Sequence, residues 1–408
     1  MKLRNYFLLS IVVGAAFACS SNEDIPEEHV FTPNATLSLA ADIYGDSRTK
    51  ASSAVISEEE EQENRIHELR VLVFSGKGEN AVYQTEGSSE SESVNEILVE
   101  AGATTIVVLA NSGVKEGWFR GKILRDVLSY TQSLESENLT EGGLSMSSKV
   151  IETDLVVNMH NIFGKSEDLS GHNPHVVKGD KVELYRHVAQ VNLKSIKIAG
   201  ENVGAKFKLE EVFVANVKGY SHILTTSDDN LVEASDAPEG ASLWWYGDCF
   251  EDAWNGEYKI TRNGVEKNFL AWTPETIVIT NGDALDTEKG KRAVASFYVY
   301  ENRNNTPLGQ RTLLVLKGQY IDGSGRDEGI RYYTISVNDP DMKGSVTTAG
   351  GSAAPDHSYV KRNYRYNISL TINSSGSDRP YDPVTEACMD VAVTVADWDV
   401  IEQNEDLD

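Results

Sequence analysis

Apolar and polar residues alternate along most of this chain, and a period of two predicts β-strands. Residues 35–43, with the sequence ATLSLAADI, carry apolar side chains at the odd positions and mostly small or polar ones between them. Segments 69–74 and 104–110 are rich in β-branched residues and are followed by Gly or Asn-Ser-Gly turns. Similar segments recur from 181 to 198 and through the second half. The pattern predicts an all-β protein.

Helical spacing is found in one place. Ile123, Leu124, Val127 and Leu128 recur with the period of an amphipathic helix, which we predict within residues 121–133. No alternation of strands and helices follows it, so a parallel sheet with crossover helices is excluded. The many short strands instead predict two β-sandwiches in tandem, with one short amphipathic helix in the first.

Domain boundaries are expected where Gly and polar residues cluster. We predict an N-terminal β-sandwich domain at 49–200 and a C-terminal β-sandwich domain at 201–387. The acidic run at 58–61, together with Glu63, is predicted to be a solvated segment at the start of the first domain.

The last segment, 388–408, has the pattern of a strand. Val391, Val393 and Val395 alternate with small or polar residues, and Trp398 and Val400 follow after a break in that parity. A tail with this much apolar, β-branched surface needs a sheet to join.

The first residues decide the compartment. Lys2 and Arg4 precede an apolar run, and small residues lead to Cys19, which predicts a secretory signal at 1–18 that is too short to span a bilayer. The position of Cys19 resembles a bacterial lipobox, which implies acylation of its thiol. Cleavage after Ala18 without acylation is the alternative. The body of the protein is then expected outside the cell.

A polar, small-residue stretch after residue 43 contains Arg48 and Lys50. Such a stretch predicts an exposed loop that proteases can reach. Cys249 and Cys388 are the remaining cysteines, and whether they pair is left open because spacing alone does not fix disulfide geometry.

Composition removes several classes of function. The net charge of −26 repels nucleic acid and anionic membrane surfaces, so neither is expected as a partner. A hydrophobic content of 40% is that of a globular protein and excludes a polytopic membrane protein.

Several short stretches, in their order along the chain, resemble the FimA-type major fimbrillins, which are subunits of type V pili. They are Cys19 and the segments 34–38, 69–76, 106–113, 134–138, 185–189, 297–302, 362–372 and 393–398. The resemblance implies two tandem transthyretin-like β-sandwich domains. It also implies a propeptide at 19–48 that contains the tether and the first strand, and a donor strand at 388–408.

The resemblance further implies an assembly by exchange of strands. A trypsin-like or arginine-specific protease would cut after Arg48 or Lys50, the first strand would leave, and the C-terminal strand of another copy would replace it. The implied displaced side chains are Leu37, Leu39 and Ile43, and the implied donor side chains are Val391, Val393, Val395, Trp398 and Val400. The implied partners are further copies of the chain, accessory and anchor fimbrillins, and the outer membrane through the lipid of the precursor. The implied location is a fimbrium that supports adhesion and biofilm formation.

Enzymatic function is not expected, and neither is a cofactor or a metal. The spacing of His160, His172 and His175 fits no usual metal site, and the acidic residues near Asp322 lack the EF-hand pattern and predict a hairpin turn. No Gly-rich phosphate loop or nucleophile elbow is present in the sequence.

Two alternatives to a shaft subunit remain open at this stage. A tip or anchor subunit of the same family would share the fold but lack a usable donor strand or the processing site. A surface-anchored glycan-binding lipoprotein would use aromatic residues as a stacking platform, although such residues more often fill a core. The candidates for that platform are Trp244, Trp245, Tyr246, Trp254 and Trp272.

Overall fold

Strands dominate the computed structural model of this chain. It describes residues 31–44, 58–137, 142–164, 173–224, 244–245, 259–262, 265–288, 291–303, 311–341, 344–348, 354–380 and 389–398. Pro33–Asp408 form one compact unit, whereas Met1–Thr32 lie almost entirely outside the described residues. The all-β class that the sequence predicts is confirmed.

The first part of the unit contains eleven strands in the described residues. They are β1 (Ala35–Ile43), β2 (Leu69–Ser75), β3 (Val82–Ser89), β4 (Ser93–Val99), β5 (Gly102–Ala110), β6 (Thr131–Ser133), β7 (Met146–Ser147), β8 (Ile151–Leu155), β9 (His160–Phe163), β10 (Pro174–Lys178) and β11 (Val182–Arg186). All but β6 form one ten-stranded sheet in the order β10-β9-β1-β11-β7-β5-β2-β3, in which β4 also pairs with β1 and β8 with β5.

The second part is a sandwich of two larger sheets. Its strands are β12 (Val188–Ile198), β13 (Lys206–Ala215), β14 (Val217–Lys218), β15 (Tyr220–His222), β16 (Trp244–Trp245), β17 (Lys259–Arg262), β18 (Val265–Asn268), β19 (Ala271–Trp272), β20 (Ile277–Thr280), β21 (Ala284–Asp286), β22 (Ala295–Tyr300), β23 (Leu313–Ile321), β24 (Asp327–Ser336), β25 (Gly344–Thr348), β26 (Tyr364–Ile372) and β27 (Met389–Asp397). The first sheet has the order β21-β12-β26-β27-β25 with β22 on β12, and the second has β19-β13-β23-β24 with β20 on β13.

Hydrophobic cores follow this division. One core packs side chains of β1, β2, β4, β5 and β11, and another fills the space between the two sheets of the second part. The change from one to the other falls between Leu184 and Val188, before residue 200. The domain limits given above remain a prediction.

Helices are few and short in the described residues. They are α1 (Glu58–Glu63), α2 (Leu124–Leu128) and a 3-10 turn at Leu134–Ser136. The helix predicted over 121–133 is therefore confined to five residues, because Thr131–Ser133 pair with β15 instead, and this tertiary pairing overrides the local propensity. Leu124 and Val127 are buried against β2 and β5. No helix within the described ranges is long and apolar enough to cross a membrane.

Candidate functional site

The first strand, β1, lies in the interior of its sheet and is paired along both edges. On one edge Ala35 to Ala40 run antiparallel to β4. On the other edge the strand runs parallel to β9 over Thr36 to Leu39 and then parallel to β11 over Ala41 to Ile43. Removal of β1 would therefore leave unpaired backbone groups on three strands.

The odd-numbered side chains of β1 form part of the first core. Leu37 is fully buried, and Leu39 and Ile43 are 1% and 3% exposed. Ala35 and Ala41 complete the same face. The apolar positions of the alternation predicted for residues 35–43 are thus all buried, and Ser38 on the opposite face is buried as well.

The opposite face of β1 is also packed. The Ser38 hydroxyl accepts a hydrogen bond from the Glu96 backbone N–H at 2.9 Å and shares another with Nε2 of His160 at 2.7 Å. Glu96 has a φ of +55° and lies at a register shift in the β1–β4 pairing. Such a bulge removes a hydrogen bond from the ladder between the two strands. The Ser38 hydroxyl supplies an acceptor for the Glu96 N–H in its place.

The chain that follows β1 contains the predicted processing residues. Tyr44 stacks on Tyr185 with ring centroids 4.6 Å apart. Arg48 and Lys50 lie outside the described residues, as does the predicted lipidation residue Cys19. The roles of these residues remain predictions.

The last described strand, β27, is also an interior strand. It runs antiparallel to β26 along its whole length and parallel to β25 over Val391 to Val395. Met389, Val391 and Val393 are buried in the second core. The predicted C-terminal strand therefore joins a sheet of its own subunit. Val400 lies outside the described residues.

Trp398, directly after β27, is held among charged groups. It is 1% exposed and stacks on Tyr298 with centroids 6.0 Å apart. The guanidinium carbons of Arg186 and Arg365 lie 5.0 Å and 5.2 Å from its ring centroid, within the range of cation–π attraction. The indole N–H donates to the Glu63 carboxylate at 3.3 Å.

Glu63, at the end of α1, is the centre of this arrangement. Its fully buried carboxylate pairs with Arg292 at 2.5 Å and Arg365 at 3.0 Å, and it accepts from the Tyr298 hydroxyl at 2.6 Å. Burial alone would raise the pKa of the Glu63 carboxyl, but the two arginines hold it below its ordinary value of 4.5. We call Glu63, Arg292, Arg365, Tyr298, Gln190 and Trp398 the Glu63 cluster.

The prediction that Glu63 belongs to a solvated segment is wrong. The sequence carries no signal for its burial, because the residue ends an acidic run and its partners are 127 to 335 positions away. Residues this far apart in the sequence form ion pairs because the fold brings them together. The residue Asn64 has a similar role, since it accepts from the fully buried Arg186.

The other candidate residues contribute to local structure. His160 contacts Ser38, and the Asp322 carboxylate accepts from Ser324 and Arg326 within the hairpin turn between β23 and β24. No group of three or more His, Cys, Asp or Glu side chains within the described ranges is arranged to hold a metal ion.

Of the five candidates for an aromatic platform, three lie within the described residues. Trp272 is half-buried and packs against the second core, and Trp244–Trp245 form β16 beside β14. His172, Tyr246 and Trp254 are outside the described residues.

Comparison with a family model and comparison with individual proteins both find similarity to fimbrial subunits. A family model described as "Major fimbrial subunit protein (FimA)" matches residues 35–186, from the start of β1 to the end of β11. The major fimbrium subunit FimA type-2 of Porphyromonas gingivalis is 26% identical, over 99% of each chain. This chain is similar to the FimA-type major fimbrium subunits over its whole length. The type-3 subunit of the same organism is 25% identical over the same shares.

The fold of this chain also matches a solved structure. A crystal structure of a fimbrilin from P. gingivalis W83 superimposes with a TM-score of 0.59 at 21% identity, covering 92% of this chain and 100% of that one. The FimA family consists of structural fimbrial subunits and is not an enzyme class.

Proposed function

We propose that this chain is a structural subunit of a cell-surface fimbrium that polymerises by exchange of strands. Its precursor is exported as an outer-membrane lipoprotein through Cys19, and cleavage after Arg48 or Lys50 then releases β1. The C-terminal strand of another copy fills the vacated groove. Accessory and anchor fimbrillins complete a fimbrium that supports adhesion and biofilm formation.

One observation carries this proposal. β1 is an interior strand whose removal leaves both edges and one core face incomplete, and it is joined to the rest of the chain by a segment that contains two basic residues. Each buried polar group left without a partner costs about 1–3 kcal/mol, and each large apolar side chain removed from the core costs about 1.5–3 kcal/mol. An added strand offsets both costs.

The same contacts keep the intact precursor from polymerising. While β1 occupies the groove, its own side chains and backbone satisfy the positions that an incoming strand needs. Polymerisation then requires cleavage by the protease. The same cleavage separates the subunit from its lipid.

The test uses the precursor that begins after Cys19. Treatment with a trypsin-like protease is expected to give a ladder on unboiled gels, with new N-termini at Thr49 or Ala51. The matched control carries Arg48→Gln and Lys50→Gln and is expected to stay uncut and monomeric. A chain that is cleaved cleanly and stays monomeric would contradict the proposal, as expected for a tip subunit or an anchored glycan-binding protein.

A further inference from the structure

Trp118 is an exposed aromatic residue that the proposed assembly does not use. Its side chain is 50% exposed, whereas the next residue, Phe119, is 1% exposed and packs with α2 in a third core. Tyr130 meets the indole edge-on, with ring centroids 6.1 Å apart and ring planes at 72°. Tryptophan is highly buried on average in folded proteins. Trp118 therefore has apolar area left over for a ligand.

The turn that presents Trp118 is held on both sides. The Gly117 N–H donates to the Glu86 carboxylate, and Gly117 has a φ of +74°, which favours glycine. The Trp118 N–H donates to the Lys115 carbonyl at 3.1 Å, and the buried Phe119 anchors the turn to the core. A site that is ordered before binding loses little conformational freedom when a ligand arrives.

Three cations of the same turn are in no ion pair within the described residues. They are Lys115, Arg120 and Lys122. The Lys122 ammonium lies 5.9 Å from the centroid of the Trp118 ring, within the range of cation–π attraction. The Glu86 carboxylate is paired with Arg70 at 3.5 Å, and Glu116, although exposed in the same turn, pairs with none of the three. Acidic residues outnumber basic ones in this chain, 63 to 37, yet no carboxylate neutralises this group.

The Trp118 patch, by which we mean Lys115, Trp118, Arg120, Lys122 and Tyr130, lies on the opposite side of the sheet from β1. Along β5, Leu109 packs with Phe119, whereas the preceding Val108 packs in the core that contains β1. Exchange of β1 therefore leaves the patch unchanged. In the proposed fimbrium the patch is repeated on every subunit, and repetition raises the overall affinity of a weak site.

We infer that the Trp118 patch binds an acidic sugar, that is, a pyranose ring that carries a carboxylate. The C–H groups on one face of such a ring form a flat apolar surface that can lie against an indole. The carboxylate at the rim of the ring can then accept charge-assisted hydrogen bonds from the Lys122 ammonium.

Other ligand classes use the patch less completely. A neutral sugar leaves the three cations unpaired, and an acidic peptide has no flat apolar face of comparable size for the indole. A long polyanion is repelled by the net charge of −26. A single carboxylate is affected mainly by charges within about 8–10 Å at ordinary ionic strength, which favours the local cations.

Titration of the uncut precursor that begins after Cys19 tests the site. With isotope-labelled tryptophan nitrogens, its six tryptophans give up to six indole N–H peaks in an NMR spectrum, and the peak missing from Trp118→Phe is that of Trp118. Methyl β-D-glucuronide is expected to shift this peak to saturation. Methyl β-D-glucoside differs only in carrying a hydroxymethyl group in place of the carboxylate. It is expected to bind about tenfold more weakly, as for the loss of one hydrogen bond to a charged group.

A pair of lysine variants tests the origin of that difference. Lys122→Gln is expected to remove most of the preference for the glucuronide. Lys181→Gln removes the same charge from an exposed ion pair with Glu92 outside the patch, and it is expected to keep the preference. An unchanged preference in Lys122→Gln would overturn the site.

Two further results would overturn the inference. One is an equal affinity for the glucuronide and the glucoside, or no shift of the Trp118 peak with either. The other is a tetraglutamate peptide that shifts the peak at a lower concentration than the glucuronide, which would assign the patch to an acidic protein segment instead. The uncut precursor does not need to polymerise for this test. A chain that forms ladders after cleavage and does not bind the glucuronide would therefore overturn this inference and leave the proposed function intact.

Discussion

β1 and β27 are both nine-residue interior strands, but the structure holds them in different ways. β1 is fixed by apolar side chains on one face and by the Ser38 hydrogen bonds on the other. β27 is fixed by its core face and, beyond its last residue, by the buried ion pairs around Trp398. In the proposed exchange, β1 leaves after cleavage behind Arg48 or Lys50, whereas β27 has to be separated from a charged cluster before it can pair elsewhere.

Removal of β27 is expected to have the largest effect. Truncation after Ala387 deletes Met389, Val391 and Val393 from the core, each worth about 1.5–3 kcal/mol, and also Trp398. We expect a greatly lowered free energy of unfolding in urea and no ladder after cleavage.

The matched control for that truncation ends at Trp398. It keeps β27 and the Glu63 cluster, and it removes only residues 399–408, including Val400. We expect it to keep the stability that the shorter truncation loses through Met389, Val391, Val393 and Trp398. Equal stability of both truncated chains would show that β27 does not hold the second core together.

Disruption of the Glu63 cluster comes next. Glu63→Gln leaves Arg292 and Arg365 without their buried counter-charge, and the loss of one partner of such a pair costs about 3–5 kcal/mol. Urea titration measures it. Glu61→Gln, in the same helix but exposed, is expected to change the stability by less than about 0.5 kcal/mol. Similar effects of the two variants would contradict the buried role of Glu63.

Acid should have the same effect as that substitution. Because the pKa of Glu63 is lowered in the folded protein, its contribution to stability is complete above its ordinary value of 4.5 and is lost as the pH falls through the folded-state pKa. A stability profile of the wild type and of Glu63→Gln below that pH is the measurement. The two curves are expected to converge as the carboxyl becomes protonated.

A pair of core substitutions compares the two strands directly. Leu39→Ala and Met389→Ala each remove a buried side chain and are expected to lower the stability of the precursor by about 2–5 kcal/mol. In the proposed exchange, only Met389 remains in the subunit after cleavage and joins the next subunit. Leu39→Ala is therefore expected to leave the resistance of the ladder to SDS unchanged, and Met389→Ala to lower it. Equal weakening of both ladders would contradict the exchange.

Much of this comparison was predictable from the sequence, for a local reason. The period of two in residues 35–43 and at Val391 and Val393 reports burial directly, because alternate side chains of a strand face opposite sides. The Glu63 cluster and the contact of Ala40 with Gly164 depend on segments more than one hundred residues apart. The interior position of each strand depends on pairing with strands from other parts of the chain. No local pattern encodes such contacts. The acidic run therefore gives no sign that the Glu63 carboxylate is buried, and the helical spacing predicts thirteen residues where five are helical.

The smallest expected effect concerns the two hydroxyls of the polar faces. Ser38→Ala removes the acceptor of the Glu96 N–H and is expected to lower the stability of the precursor by about 1–3 kcal/mol. Thr394→Val preserves the shape of a half-buried side chain in β27 and is expected to change the precursor less. Urea titration of the two precursors is the measurement, and equal losses of stability would contradict the hydrogen-bonding role of Ser38.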